Sequence, residues 1–242
     1  MIYEGKTIIN FYDIDGRGDV SLTALLKHIN LSAGANATEI GVGLKDTLPL
    51  GLTFVIQRFA LRTFNWPTFR QEVLIRTWPA DIARGTFRRN GDMWDKDGKK
   101  MAEWTGLWVL IDVVERKVKR PKALNAELPS YGFMDVAIES PKIEVPTEVE
   151  LVASYPHIVQ FSELDINQHM NNAIYGDLIA NVLEIGGYVP KYKEVQFNYL
   201  TEAKLGEEIE VKCMKNANKQ GRVMYITGTA KTRNIFAACV EI

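Results

Sequence analysis

Five polar side chains fall within eight residues of this chain: Asp165, Asn167, His169, Asn171 and Asn172, in the run DINQHMNN. Their types complement one another. A carboxylate and an imidazole can move a proton, and side-chain amides can donate to an oxygen that becomes negative. Behind them Ile174, Tyr175, Leu178, Ile179, Val182 and Leu183 recur at steps of one, three and four. That spacing predicts a helix with one apolar face. The polar cluster then stands at a helix N-terminus, where unpaired N–H groups and the helix dipole favour negative charge. Amides around His169–Asn171 could there stabilise an oxyanion. The plainer use of the same residues is structural, because Asp and Asn are preferred caps and turn formers. The histidine is what sets this stretch apart: it is one of only three in the chain. Spacing alone leaves both uses open.

The elements that must position this cluster come twice. FYDIDGRGDVSLTALLKHI from Phe11 aligns without a gap on FSELDINQHMNNAIYGDLI from Phe161. Phe11 falls on Phe161, Ile14 on Leu164 and Asp15 on Asp165, and in both copies a turn precedes an apolar helix. In the first copy Asp19 is placed to cap a helix carrying Leu22, Leu25, Leu26 and Ile29. At the positions of Asn167 and His169 it has Arg17 and Asp19. One copy therefore carries an Asn/His pair that the other lacks, which favours a site in the second.

Strand-like runs follow each helix. In the first copy they are Thr53–Thr63, Val73–Trp78, Thr86–Trp94 and Lys100–Ile111, with residues 6–15 reading as a strand into a turn. Asp97-Gly98 marks a hairpin. The second copy has Glu194–Tyr199, Glu208–Met214, Val223–Thr232 and Ile235–Glu241. Residues 36–51 read as irregular. From Pro121 to Pro156 the chain holds five of its nine prolines, which suits neither helices nor central strands and reads as a linker. The fold class is α+β, with each unit a helix wrapped by a mostly antiparallel sheet.

Composition narrows the function classes. Hydrophobic residues make up 46%, enough for a real core, and the formal net charge of −1 gives no general attraction to nucleic acid. The opening MIYEGKTIINFYDID lacks a basic then apolar pattern, and no run has membrane-spanning length, so a soluble cytoplasmic protein without membrane insertion is expected. Cys213 and Cys239 form no metal-ligand spacing and are both expected to be buried, and His28, His157 and His169 show none either. His28 lies in the first helix, and His157 reads as a loop residue. Neither a metal nor a cofactor is expected, and no Gly-rich phosphate loop is present. Sequons at Asn30 and Asn36 carry no weight without secretion.

The run Asp165-Ile-Asn167-Gln-His169-Met-Asn171-Asn172 resembles the D-x-N-x-H-x-N-N motif of the acyl-ACP thioesterases, tandem or double hot-dog enzymes. Val195–Ala203 is similar to a later strand of that family ending in a glutamate, and Trp108–Leu124 to the end of its first hot-dog unit. The resemblance implies an N-terminal unit over 1–125 that holds the acyl chain, a linker over 126–150, and a catalytic unit over 151–242. It implies four catalytic residues, Asp165, Asn167, His169 and Glu202. Many plant members have cysteine after the glutamate, whereas this chain has Ala203. That departure removes a thiol nucleophile at this position and favours water activated by carboxylate and imidazole.

The implied substrate is a fatty acyl chain on acyl carrier protein. The carrier is acidic, and Arg84, Arg88, Arg89, Lys117, Lys119 and Arg120 could form a basic docking face, although such runs are often merely solvated. The resemblance leaves room for a homodimer. Two other readings compete: an acyl-CoA thioesterase with the same chemistry, and a hot-dog protein that binds acyl groups without turnover. A hot-dog hydratase fits less well, because Gln168 stands where a hydratase has proline.

Overall fold

The computed structural model describes residues 2–124, 128–132, 134–189, 191–217 and 222–242. The chain divides into two compact units. The first comprises Met1–Val20 and Lys27–Ser140, and the second Ser21–Leu26 and Pro141–Ile242. The first turn of the first long helix therefore groups with the second unit, which the boundaries at 125 and 151 do not anticipate.

In the first unit, β1 (Tyr3–Ile8), β2 (Leu52–Thr63), β3 (Glu72–Ala83), β4 (Thr86–Asp95) and β5 (Lys100–Asp112) form an antiparallel sheet in the order β1-β3-β4-β5-β2. A two-residue strand, β6 (Val118–Lys119), pairs with β5. The helix α1 (Leu22–Glu39) buries Leu22, Leu25, Leu26 and Ile29. It runs well beyond the point where residues 36–51 were expected to be irregular. Ala33, Ala35 and Ala37 favour helix strongly enough to outweigh Gly34. Its stop is Gly41, at φ 74°, where Val42 N–H closes back on Ala37 O at 2.8 Å. A short helix, α2 (Leu44–Thr47), follows. Trp78 and Trp104 are almost fully buried, and each such side chain stabilises the fold by about 1.5–3 kcal/mol.

The second unit repeats this topology. Its strands are β7 (Val149–Ile158), β8 (Glu194–Tyr199), β9 (Glu208–Asn216), β10 (Val223–Ala230) and β11 (Arg233–Glu241), in the order β7-β9-β10-β11-β8. The helix α3 (Tyr175–Ile185) packs on β7 and β9 through the apolar face read from its spacing.

The strand running into a turn read over 6–15 is present, with the strand starting earlier, at Tyr3–Ile8, and the turn a 3₁₀ turn at Phe11–Asp13. One expectation gives way, that of the proline-rich stretch, of which 125, 126, 127 and 133 lie outside the described residues. Its last part is β7, an edge strand paired only with β9 among the described residues, and an edge tolerates the missing N–H of Pro156. His157 is thus a strand residue, bonded to Glu163 at 2.9 Å. The part before Ser140 is a strap on the first unit. Trp78 Nε1 donates to Met134 O, Arg88 and Asn90 reach Asp135, and Val136 and Ile138 pack with Ala60 and Trp78.

Candidate active site

Asp165 builds the turn that presents His169. Its backbone N–H donates to His169 O at 2.8 Å, and its carbonyl accepts from Gln168 N–H at 3.0 Å. Its carboxylate Oδ1 accepts from Asn167 N–H at 2.8 Å and more weakly from His169 N–H at 3.4 Å. Closing so tight a turn forces Gln168 to φ 62°, a left-handed conformation that costs a residue with a side chain about 1–2 kcal/mol. Asn167 is exposed, and one side-chain N–H leans on Asp165 Oδ2 at 3.4 Å.

Glu202 reaches this turn from the loop after β8, not from the strand itself. Met170 N–H donates to Ala203 O at 2.9 Å, and His169 bridges Lys204. These backbone contacts lay residues 202–204 alongside the turn and place Glu202 Oε2 3.2 Å from His169 Nε2. The imidazole is 17% exposed and the carboxylate 35%, so the pair is sheltered yet open to water. Arg233 fixes the loop from below, donating to Glu202 O at 3.4 Å and pairing with Glu207. Glu207 in turn accepts from Lys204 N–H at 3.0 Å. Burial works to raise the Glu207 carboxyl, but the Lys204 bond and Arg233 outweigh it and hold the carboxyl below its ordinary value. Nothing in the spacing of the sequence marks Arg233 or Glu207 as partners of the site.

The amides expected to serve an oxyanion are otherwise engaged. Met170 N–H is held by Ala203 O and Asn171 N–H by Glu163 O, at 2.9 and 2.8 Å, and His169 N–H faces Asp165. The helix itself starts only at Tyr175, because Asn171 closes a separate turn with Ala173 and Ile174. Within that turn the Asn172 N–H makes no hydrogen bond among the described residues. Its carbonyl accepts from Tyr199 Oη at 3.3 Å, and Tyr199 stacks edge-on with Tyr175. Burial pushes the Tyr199 phenol well above its ordinary pKa, so it remains a donor.

The thiols stand apart from this chemistry. Cys213 is buried on β9, while Cys239 on β11 is half-buried, less enclosed than expected. Burial lifts both pKa values to about 11, which keeps them protonated and poorly nucleophilic. Ala203 is fully buried.

The basic residues separate into three groups. Arg84, Lys117 and Arg120 are exposed. Arg88 is engaged by Asp81 and Asp135, and Lys119 by Asp112 and Glu115. Arg89 is half-buried and turns inward. It lines a cavity of about 430 Å³ within the first unit, whose wall includes Ala33, Gly34 and Ala37 of α1 and Phe54, Phe87 and Trp108 of the sheet. Ala33, Gly34 and Ala37 have little or no side chain and so leave this space open on the α1 side.

The same antiparallel order of five strands in each unit, with the same turn and helix after the first strand, defines a tandem hot-dog protein of the α+β class. The chain aligns with an acyl-ACP thioesterase structure from Bacteroides thetaiotaomicron at TM-score 0.76, covering 99% of this chain and 97% of that one at 20% identity. A 12:0-ACP thioesterase from Umbellularia californica gives 0.73, 99% and 96%, at 15% identity. In sequence, residues 1–125 match the acyl-ACP thioesterase N-terminal domain and residues 147–237 the C-terminal domain, and the chain belongs to that family. It is 24% identical over 197 residues to a chloroplastic dodecanoyl-[acyl-carrier-protein] hydrolase of Cinnamomum camphora, covering 76% of this chain and 51% of that protein. To a chloroplastic palmitoyl-acyl carrier protein thioesterase of Arabidopsis thaliana it is 21% identical over 198 residues, covering 77% and 48%. The chain thus spans about half the length of these relatives.

Proposed function

We propose that the protein hydrolyses fatty acyl-ACP thioesters to a free fatty acid and the carrier thiol. The observation that carries this reading is the His169–Glu202 pair, 3.2 Å apart and partly open to solvent. A carboxylate at that distance makes imidazole a stronger base, and together they can take a proton from water as it attacks the thioester carbonyl. The oxygen of that carbonyl then needs donors. The Asn172 N–H and the second N–H of the Asn167 side chain are the candidates. Asp165 holds the turn and takes no part in the proton transfer. The acyl tail lies in the cavity of the first unit. The two unpaired thiols suit a reducing compartment such as the cytoplasm.

The test is release of free thiol when purified protein meets acyl-ACP and, separately, the matching acyl-CoA. A hydrolase releases thiol at a rate proportional to enzyme, whereas an acyl-binding protein would release none beyond its own concentration. The carrier is identified by charge. Arg84→Glu combined with Arg120→Glu should raise KM for acyl-ACP and leave KM for acyl-CoA nearly unchanged, with the acyl-ACP reaction more sensitive to salt. Equal changes for both donors would remove the docking face from this proposal.

A further inference from the structure

The cavity of the first unit has a mainly apolar wall that also carries Asn30, Thr38, Lys45, Asp81 and Arg88, and Arg89 lies in that wall. There the Arg89 guanidinium donates through Nη1 to Asn36 Oδ1 at 2.7 Å and to Thr77 Oγ1 at 3.4 Å. Both partners are neutral. Nε and Nη2 make no hydrogen bond and the group forms no ion pair among the described residues; Asp81, the carboxylate in the same cavity wall, is engaged by Arg88. The neighbouring Arg88 shows the contrast, since Asp81 and Asp135 both neutralise it. Burial lowers the Arg89 pKa to about 10, still high enough to keep it charged at neutral pH. A buried cation without a counter-charge is costly unless something supplies an acceptor. Asn36, fully buried on α1, and Thr77, fully buried on β3, hold it in place. A plain methylene tail filling the cavity would strip water from the two remaining donor nitrogens and leave them facing hydrocarbon. An oxygen on the tail would meet them.

We propose that this cavity takes acyl chains bearing an acceptor oxygen along the tail, as a hydroxyl, keto or carboxylate group, and that Arg89 is the residue that reads it. The inference uses the thioesterase reading only to say that an acyl chain occupies the cavity. A carboxylate would accept two donors at once and compensate the charge, whereas a hydroxyl or ketone would satisfy the donors alone.

The experiment is binding of non-hydrolysable acyl-pantetheine amides, in matched pairs of equal length, with and without the oxygen at the tail end or at interior positions. The wild-type protein should bind the best oxygenated member at least ~10-fold more tightly than its plain partner, the scale of one charge-assisted hydrogen bond. Arg89→Met should abolish that preference by weakening the oxygenated member and strengthening the plain one, and Arg89→Lys should keep part of it. A preference confined to carboxylates identifies charge compensation as the cause, and one shared by hydroxyl and keto groups identifies donor satisfaction. Equal or tighter binding of plain chains by the wild type would overturn the proposal, whether or not the Arg89→Met protein folds. Hydrolysis of the corresponding thioesters is scored separately. Turnover without preference sinks this inference and spares the thioesterase reading, and preference without turnover does the reverse.

Discussion

The turns that precede the helices of the two units have the same backbone and different chemistry. In the first, Asp15 N–H donates to Asp19 O at 2.7 Å and Gly18 N–H to Asp15 O at 3.0 Å, while Asp15 Oδ1 accepts from Arg17 and Asp19 N–H. These are the bonds that Asp165 makes with Gln168, Asn167 and His169. The loops facing the turns correspond as well. Arg70 N–H bonds Ile9 O and Ile9 N–H bonds Gln71 O; Gly206 N–H bonds Val159 O and Val159 N–H bonds Glu207 O. Counting back four residues from Arg70 and Gly206 sets Trp66 opposite Glu202. Trp66 uses its indole N–H to tie down Val20 O at 2.7 Å. The frame of turn and loop is therefore architecture, present in both units. What differs is Asp19 and Trp66 in one against His169 and Glu202 in the other. Asp165, retained in kind at Asp15 where there is no histidine, is assigned to the frame. Gly18, at φ 82°, fits the left-handed position that Gln168 must occupy under strain.

The two turns should differ most in function at His169 and its counterpart Asp19. His169→Ala should lower kcat by at least ~10²-fold, the usual scale for losing a positioned proton carrier. Asp19→Ala, at the equivalent place in the first unit, should leave kcat within about twofold, as expected for a substitution at an exposed position. Initial rates on one acyl-ACP substrate check both, and a similar loss from each would end the distinction between the turns. Next in size comes the frame itself. Asp15→Ala and Asp165→Ala each remove side-chain acceptors for turn amides, and each should destabilise by about 1 kcal/mol in denaturant titrations. Only Asp165→Ala should also reduce kcat, by roughly tenfold, because a loosened turn no longer fixes His169. Equal stability losses with unequal activity losses would sharpen the assignment of Asp165 to positioning.

The smallest effect concerns the ties beneath Glu202. The Glu207 carboxyl is held below its ordinary value in the folded state, so its contribution is present above the unfolded carboxylate pKa, about 4.3. It is lost as pH falls through the lower folded value. Being largely solvated, the interaction is worth about 0.5 kcal/mol. The stabilities of wild type and Glu207→Gln, from urea titrations, should differ by that amount at neutral pH and converge as pH falls through the lowered folded value.

Much of this frame is legible in the sequence because it depends on local periodicity. The repeat of Phe11 on Phe161, the apolar face of α3 and most strands follow from spacing. What the sequence concealed depends on partners distant in the chain. Pro156 in β7 is acceptable only because that strand is an edge, which is a property of the whole sheet. Arg89 belongs with Arg88 in any reading of charge along the chain, yet one is neutralised by carboxylates and the other turned into a cavity. The pairing of His169 with Glu202 came from family resemblance. No spacing rule predicts it, because it is made by backbone bonds between a turn and a loop. The same bonds use up the amides that a bare helix N-terminus would have offered.

The second turn differs from the first by an imidazole–carboxylate pair, to which we assign the activation of water as a proposal. Its most direct test is the turnover of Glu202→Gln on acyl-ACP, measured on protein whose circular dichroism matches wild type. The substitution keeps size and hydrogen-bonding capacity and removes only the charge and the proton-accepting oxygen. If the pair activates water, kcat should fall by at least ~10²-fold with KM little changed. Near-normal turnover would contradict that assignment and take Glu202 out of the chemistry.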